Sequence, residues 1–131
     1  MAHSIQQYRG THLILNDADI IVTISLLNDI VSVHQASEAA RSIVSRWKQE
    51  VEFAGFGCID LRFDDLMQAG TGSDALIELL EELRTRVYQF DELIPAAEIG
   101  LVPNGAGFVP AKHYPCRLLL ELIDRVRQLI D

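Results

Sequence analysis

The amino-acid sequence predicts a single-domain α/β sandwich: a mixed central sheet of about 4–6 short strands covered by three amphipathic helices, with α+β as the alternative. Three observations lead there. The chain has 131 residues and is 49% hydrophobic, enough for one buried core and too apolar for a disordered chain. Three stretches repeat apolar residues at helical spacing. Short β-branched or alternating runs lie between them.

The elements follow in order within one domain, residues 1–131. Residues 1–10 read as a loose lead-in. His12 to Leu15 reads as a short strand. Asn16-Asp17-Ala18-Asp19 reads as a turn, because Asn and Asp side chains bond their own backbone. Ile20-Ile21-Val22-Thr23-Ile24 is β-branched throughout and stiff at the first side-chain torsion, which favours a strand. A turn at Leu27-Asn28-Asp29 then returns the chain through Ile30 to Val33. The rival reading is one helix from Asp17 to His34, with Ile20, Ile24, Leu27 and Val31 on one face.

Ala36, Ala40, Ile43, Val44, Trp47 and Val51 define a helix face. Arg46 with Glu50 and Lys48 with Glu52 are spaced for surface ion pairs on its far side. Ala54-Gly55-Phe56-Gly57 ends it. Cys58 to Phe63 alternates apolar and polar residues and predicts a strand with Ile59, Leu61 and Phe63 inward. A loop from Asp64 to Gly72 leads to Ser73 as an N-cap and a helix carrying Leu76, Leu80, Leu83, Val87 and Phe90. Ile99 to Val109 reads as a β-hairpin about Pro103-Asn104-Gly105. Pro115 opens a last helix with Leu119, Leu122, Ile123, Val126 and Ile130.

Chemistry-bearing patterns are few. Gly70-Thr71-Gly72-Ser73-Asp74-Ala75 fits a loose dinucleotide pattern, but the glycines stand too far past the strand, and Asp74 repels a phosphate. His3, His12, His34 and His113 have no companion at a metal-ligand spacing, so neither a metal nor a cofactor is expected. His113 and Cys116 have the types for a thiol–imidazole pair, but Cys116 opens a leucine-rich helix and reads as core; no nucleophile elbow, Walker A or zinc-protease motif is present, so the chain does not read as an enzyme. Cys58 and Cys116 read as buried free thiols in a reducing compartment. The start Met1-Ala2-His3-Ser4-Ile5 does not read as a secretory signal, and the apolar stretch from Ile20 to Val33 is too short and too polar to span a bilayer, so a cytoplasmic protein is the expectation.

Strand Cys58 to Phe63 with Asp60-Leu61, a following loop, and a helix from Ser73 resemble the phosphorylatable corner of anti-sigma-factor antagonist (STAS) domains. That resemblance implies a regulatory switch phosphorylated on a serine at the corner. Here Gln68-Ala69-Gly70 stands where the serine belongs, with Thr71 and Ser73 nearby.

Charge carries the main functional expectation. Nineteen Asp and Glu against eleven Lys and Arg give a net charge of −8. Such a surface disfavours nucleic acid and anionic membranes and favours a basic protein partner. Asp64, Asp65, Glu78, Glu81, Glu82, Asp91 and Glu92 are the expected partner-binding residues. The most concrete form of this expectation is a bacterial immunity protein or antitoxin whose carboxylates occupy the nucleic-acid surface of a nuclease-type toxin. The alternatives are the STAS-like switch near Thr71 or Ser73 and a small ligand-binding domain with a pocket around His113, Cys116 or Asp60.

Overall fold

The computed structural model describes residues 2–33, 35–55, 57–68, 70, 72–99 and 113–131. The expected lead-in is instead ordered secondary structure. Strands β1 (His3–Tyr8) and β2 (Thr11–Asn16) form an antiparallel hairpin with Ile5 opposite Ile14. Arg9 and Gly10 link them, both in the left-handed region at φ 50° and 79°. Two such residues give the tight turn whose twist matches paired strands. Ser4, Gln6 and Tyr8 face inward, while His3, Ile5 and Gln7 face out.

The β-branched run does not form strands. It lies in helix α1 (Asp17–Val33), and every position from Ile20 to Leu27 is buried. Along that stretch the helix is enclosed by the hairpin and by the helices at 38–53, 72–88 and 116–130, so it has no solvent face there to mark with polar residues. Burial on all sides outweighs the modest helix propensity of Ile, Val and Thr. The expected turn at 16–19 is its first turn: Asn16 Oδ1 accepts the Ala18 N–H at 2.8 Å.

Helix α2 (Glu38–Phe53) follows the expected face, with Ala40, Ile43, Val44, Trp47 and Val51 buried. Ser37 caps it by accepting the Ala40 N–H at 3.1 Å. The expected Arg46–Glu50 and Lys48–Glu52 pairs do not form among the described residues. Glu50 accepts the Asp60 N–H instead, at 3.2 Å.

Residues 58–62 run with Ile59 and Leu61 buried, as the alternation predicts, but they join no strand ladder. Side chains of β1 replace the ladder. The Gln6 amide donates to the Ile59 carbonyl and accepts from the Leu61 N–H, both at 2.8 Å. Ser4 Oγ accepts the Ile59 N–H at 3.0 Å and donates to Asp17 Oδ1 at 2.5 Å. Asp17 Oδ2 takes the Gly57 N–H at 2.7 Å. Trp47 Nε1 donates to the Leu61 carbonyl at 2.9 Å. Each buried polar group in this seam has a partner, as burial demands.

The expected loop after residue 63 is partly helical. Helix α3 (Phe63–Gln68) precedes α4 (Gly72–Tyr88), which starts one residue before the expected cap, Ser73. Strands β3 (Leu93–Pro95) and β4 (His113–Pro115) pair antiparallel, and α5 (Cys116–Ile130) closes the chain. Pro115 caps α5 rather than opening it. Of the expected hairpin from Ile99 to Val109, only Ile99 is among the described residues.

The architecture is therefore one small mixed α/β domain, mostly helical. Among the described residues it has five α-helices and two separate two-stranded sheets, not a sandwich on a sheet of 4–6 strands. No described helix is long and apolar enough to cross a membrane.

Candidate functional site

The seven expected partner-binding carboxylates fall in three places. Asp64 and Asp65 lie on α3. Asp64 is structural: its Oδ1 accepts the Arg9 N–H of the hairpin turn at 3.1 Å. Asp65 stands 3.8 Å from Arg62, with both side chains more than half exposed. Such a pair neutralises little. Glu78, Glu81 and Glu82 lie on the outer side of α4 and diverge. Glu78 turns toward α2 and accepts the Ser37 hydroxyl at 2.8 Å. Glu81 turns toward α5 and meets Arg127 at 3.1 Å. Glu82 is exposed and has no partner among the described residues. Asp91 and Glu92 are exposed at the far end of α4. The Glu92 carbonyl there accepts the Cys116 N–H at 2.9 Å, holding the start of α5.

The fold gathers a smaller acidic group than the sequence suggested. Where the first turns of α2 and α4 pack together, a groove of about 890 Å³ is lined by Ser37, Glu38, Ala39, Ser42, Asp74, Ala75 and Glu78. Among the described residues it is lined by three carboxylates and no cationic side chain. Each carboxylate has a local reason for its place. Glu38 and Asp74 sit in the first turns of α2 and α4, where the helix dipole favours negative charge. Glu38 was not among the expected residues. The signal for it was Ser37-Glu38 at a helix start, but its meeting with α4 depends on tertiary packing.

Two further polar groupings stand apart. Tyr114 donates a hydrogen bond to Asp19 Oδ1, joining β4 to the first turn of α1. Burial holds the Asp19 carboxyl above its ordinary range, against the Tyr114 hydrogen bond, and nearby Glu121 adds to the rise. Burial likewise raises the Tyr114 hydroxyl, aided by that bond to Asp19. The other grouping is a cleft of about 300 Å³ between the C-terminal half of α2, residues 60–62 and α3. Asp60, one of the residues expected to mark a ligand pocket, lines this cleft.

Cys58 is exposed, contrary to expectation, while Cys116 is buried; both are free thiols. Burial raises the Cys116 thiol, which disfavours the reactive thiolate. No group of three or more potential metal ligands occurs among the described residues. The corner implied by the STAS resemblance lacks its strand, because residues 58–62 join no sheet. Thr71 lies outside the described residues, and Ser73 is exposed in the first turn of α4. Comparison with known protein families, characterised proteins and solved structures finds no match.

Proposed function

We propose that the protein is a binding module for a basic protein partner, received along the outer side of α4 and the α2–α4 groove. One observation carries this reading: Glu38, Asp74 and Glu78 share a groove with no cationic side chain among its described lining residues. Exposed Glu82 extends the negative surface along α4. Lys and Arg side chains entering such a groove gain Coulomb attraction before contact, so association is fast and salt-sensitive. The narrower form of the proposal is neutralisation of a nuclease-type toxin, whose phosphate-binding surface presents the cations these carboxylates would meet. Glu81 contributes little to this surface, since Arg127 offsets its charge, and Asp64 lies outside the groove on α3, whereas Glu78 accepts only a neutral hydroxyl and keeps its charge.

The test is stopped-flow association with a basic nuclease-type domain at low and high ionic strength. The expected on-rate falls by about tenfold or more as salt rises, and by a similar factor in the triple variant Glu38→Gln, Asp74→Asn, Glu78→Gln. An on-rate indifferent to both salt and these substitutions would remove the electrostatic basis of the proposal.

A further inference from the structure

The C-terminal half of α2 carries the opposite chemistry from its N-terminal groove. In the cleft of about 300 Å³, Trp47, Leu61 and Leu66 form an apolar floor, and Phe53 stands at the wall with 81% of its surface exposed. The polar lining consists of Arg46, Gln49, Glu50, Asp60 and Arg62. Its carboxylates each bind backbone. Glu50 accepts the Asp60 N–H at 3.2 Å, and Asp60 Oδ1 accepts the Arg62 N–H at 2.9 Å. The donors are less engaged. Arg46 has no ion pair or hydrogen bond among the described residues, and Arg62 has only the long, exposed contact with Asp65.

Arg62 also occupies an unusual backbone position, with φ 55°. An L-residue there is strained, and Gly or Asn would fit with less cost. Its neighbours force the turn: Leu61 is held from both sides by Gln6 and Trp47, and the Leu66 N–H bonds the Arg62 carbonyl at 3.1 Å as α3 begins. The chain therefore keeps a guanidinium at the cleft rim where backbone preference alone selects against one. Strain retained at a cleft is a reason to look for function there.

We infer that this cleft binds a small amphipathic anion: a phosphate or carboxylate head group between Arg46 and Arg62, with an apolar body against Phe53. Guanidinium groups recognise both oxyanions through paired N–H donors. Gln49 supplies a neutral donor beside them. The cleft volume is at the lower end of small-molecule sites, which fits one ring or a short acyl chain. This site is separate from the acidic groove, and neither reading depends on the other.

Trp47 is the only tryptophan in the chain and lies in the floor, so its emission reports occupancy. The probes are phenyl phosphate, phenylacetate and inorganic phosphate, each titrated into the intact chain. Phenyl phosphate or phenylacetate is expected to give a saturable change, and the tighter of the two identifies the preferred head group. Phe53→Ala should bring phenyl phosphate down to the affinity of inorganic phosphate. Arg46→Gln and Arg62→Gly should each weaken binding about tenfold. Arg62→Gly also relieves the backbone, so its denaturation midpoint should equal or exceed that of the parent. That result separates a lost ligand contact from a damaged fold. No saturable change with either aromatic probe, or unchanged binding in Arg62→Gly, would overturn the inference.

Discussion

Gln6 shows how much one side chain can organise. Its amide bonds both the Ile59 carbonyl and the Leu61 N–H in a site with no access to water. Gln6→Leu would leave both backbone groups unpaired, so a loss of about 2–4 kcal/mol is expected in urea denaturation. Thr23 is the opposite case. Its hydroxyl is buried in α1 without a partner among the described residues, and the residue lines a small void of about 10 Å³ with apolar side chains such as Ile20, Phe63 and Leu80. So small and apolar a void does not hold water well. Thr23→Val should therefore stabilise the protein by about 1 kcal/mol in the same measurement. Asp19 gives a pH signature. Burial lifts its carboxyl above the ordinary value, so the folded protein holds that proton more tightly than the unfolded chain. Its contribution is then most favourable in acid and declines as pH rises from the ordinary carboxylate value through the raised one. Asp19→Asn keeps an acceptor for Tyr114 and removes the ionisation. It should be more stable than the parent at neutral pH, with the difference shrinking toward zero in acid. None of these roles was legible in the sequence. Ser4 and Gln6 alternate with Ile5 as a strand would, but nothing local says that polar residues face inward.

At the scale of elements, legibility followed solvent exposure. Helices α2, α4 and α5 each have one wet face, so their apolar residues recur at helical spacing and the sequence revealed them. Helix α1 is buried on every side from Ile20 to Leu27, which removes the periodicity there and leaves a β-branched run that reads as strand. Residues 58–62 gave the reverse error. Their alternation of buried and exposed side chains is real, but a partner strand is absent, and no sequence pattern distinguishes a ladder from side-chain docking. One glycine of the 70–75 segment, Gly72, finds its explanation at this scale too. A Cβ on Gly72 would sit 1.7 Å from the Leu66 carbonyl oxygen, so glycine lets α4 begin directly against α3. Close helix packing, rather than a pyrophosphate, accounts for it. Gly72→Ala should cost about 1–3 kcal/mol by thermal or urea unfolding, because backbone must move.

Across the whole molecule, the charge imbalance was plain from composition, but its geometry was not. The acidic residues do not merge into one surface along α3 and α4. Arg127 and the hairpin turn occupy Glu81 and Asp64, while α2 brings Glu38 to Asp74 and Glu78. The sequence thus identified α4 as the acidic element and missed its partner helix. The seam formed by Ser4, Gln6 and Asp17 has a consequence for motion. A strand ladder ties each amide to a neighbouring backbone, whereas residues 57–61 hang from a few side chains that can swing aside together. This segment can open as a unit while α1 stays intact. In hydrogen–deuterium exchange followed by NMR, the Ile59 and Leu61 amides should exchange at least about tenfold faster than those of Ile24 and Leu27, whose release requires global unfolding. Equal protection at all four would mean that the seam and the central helix open in one cooperative event.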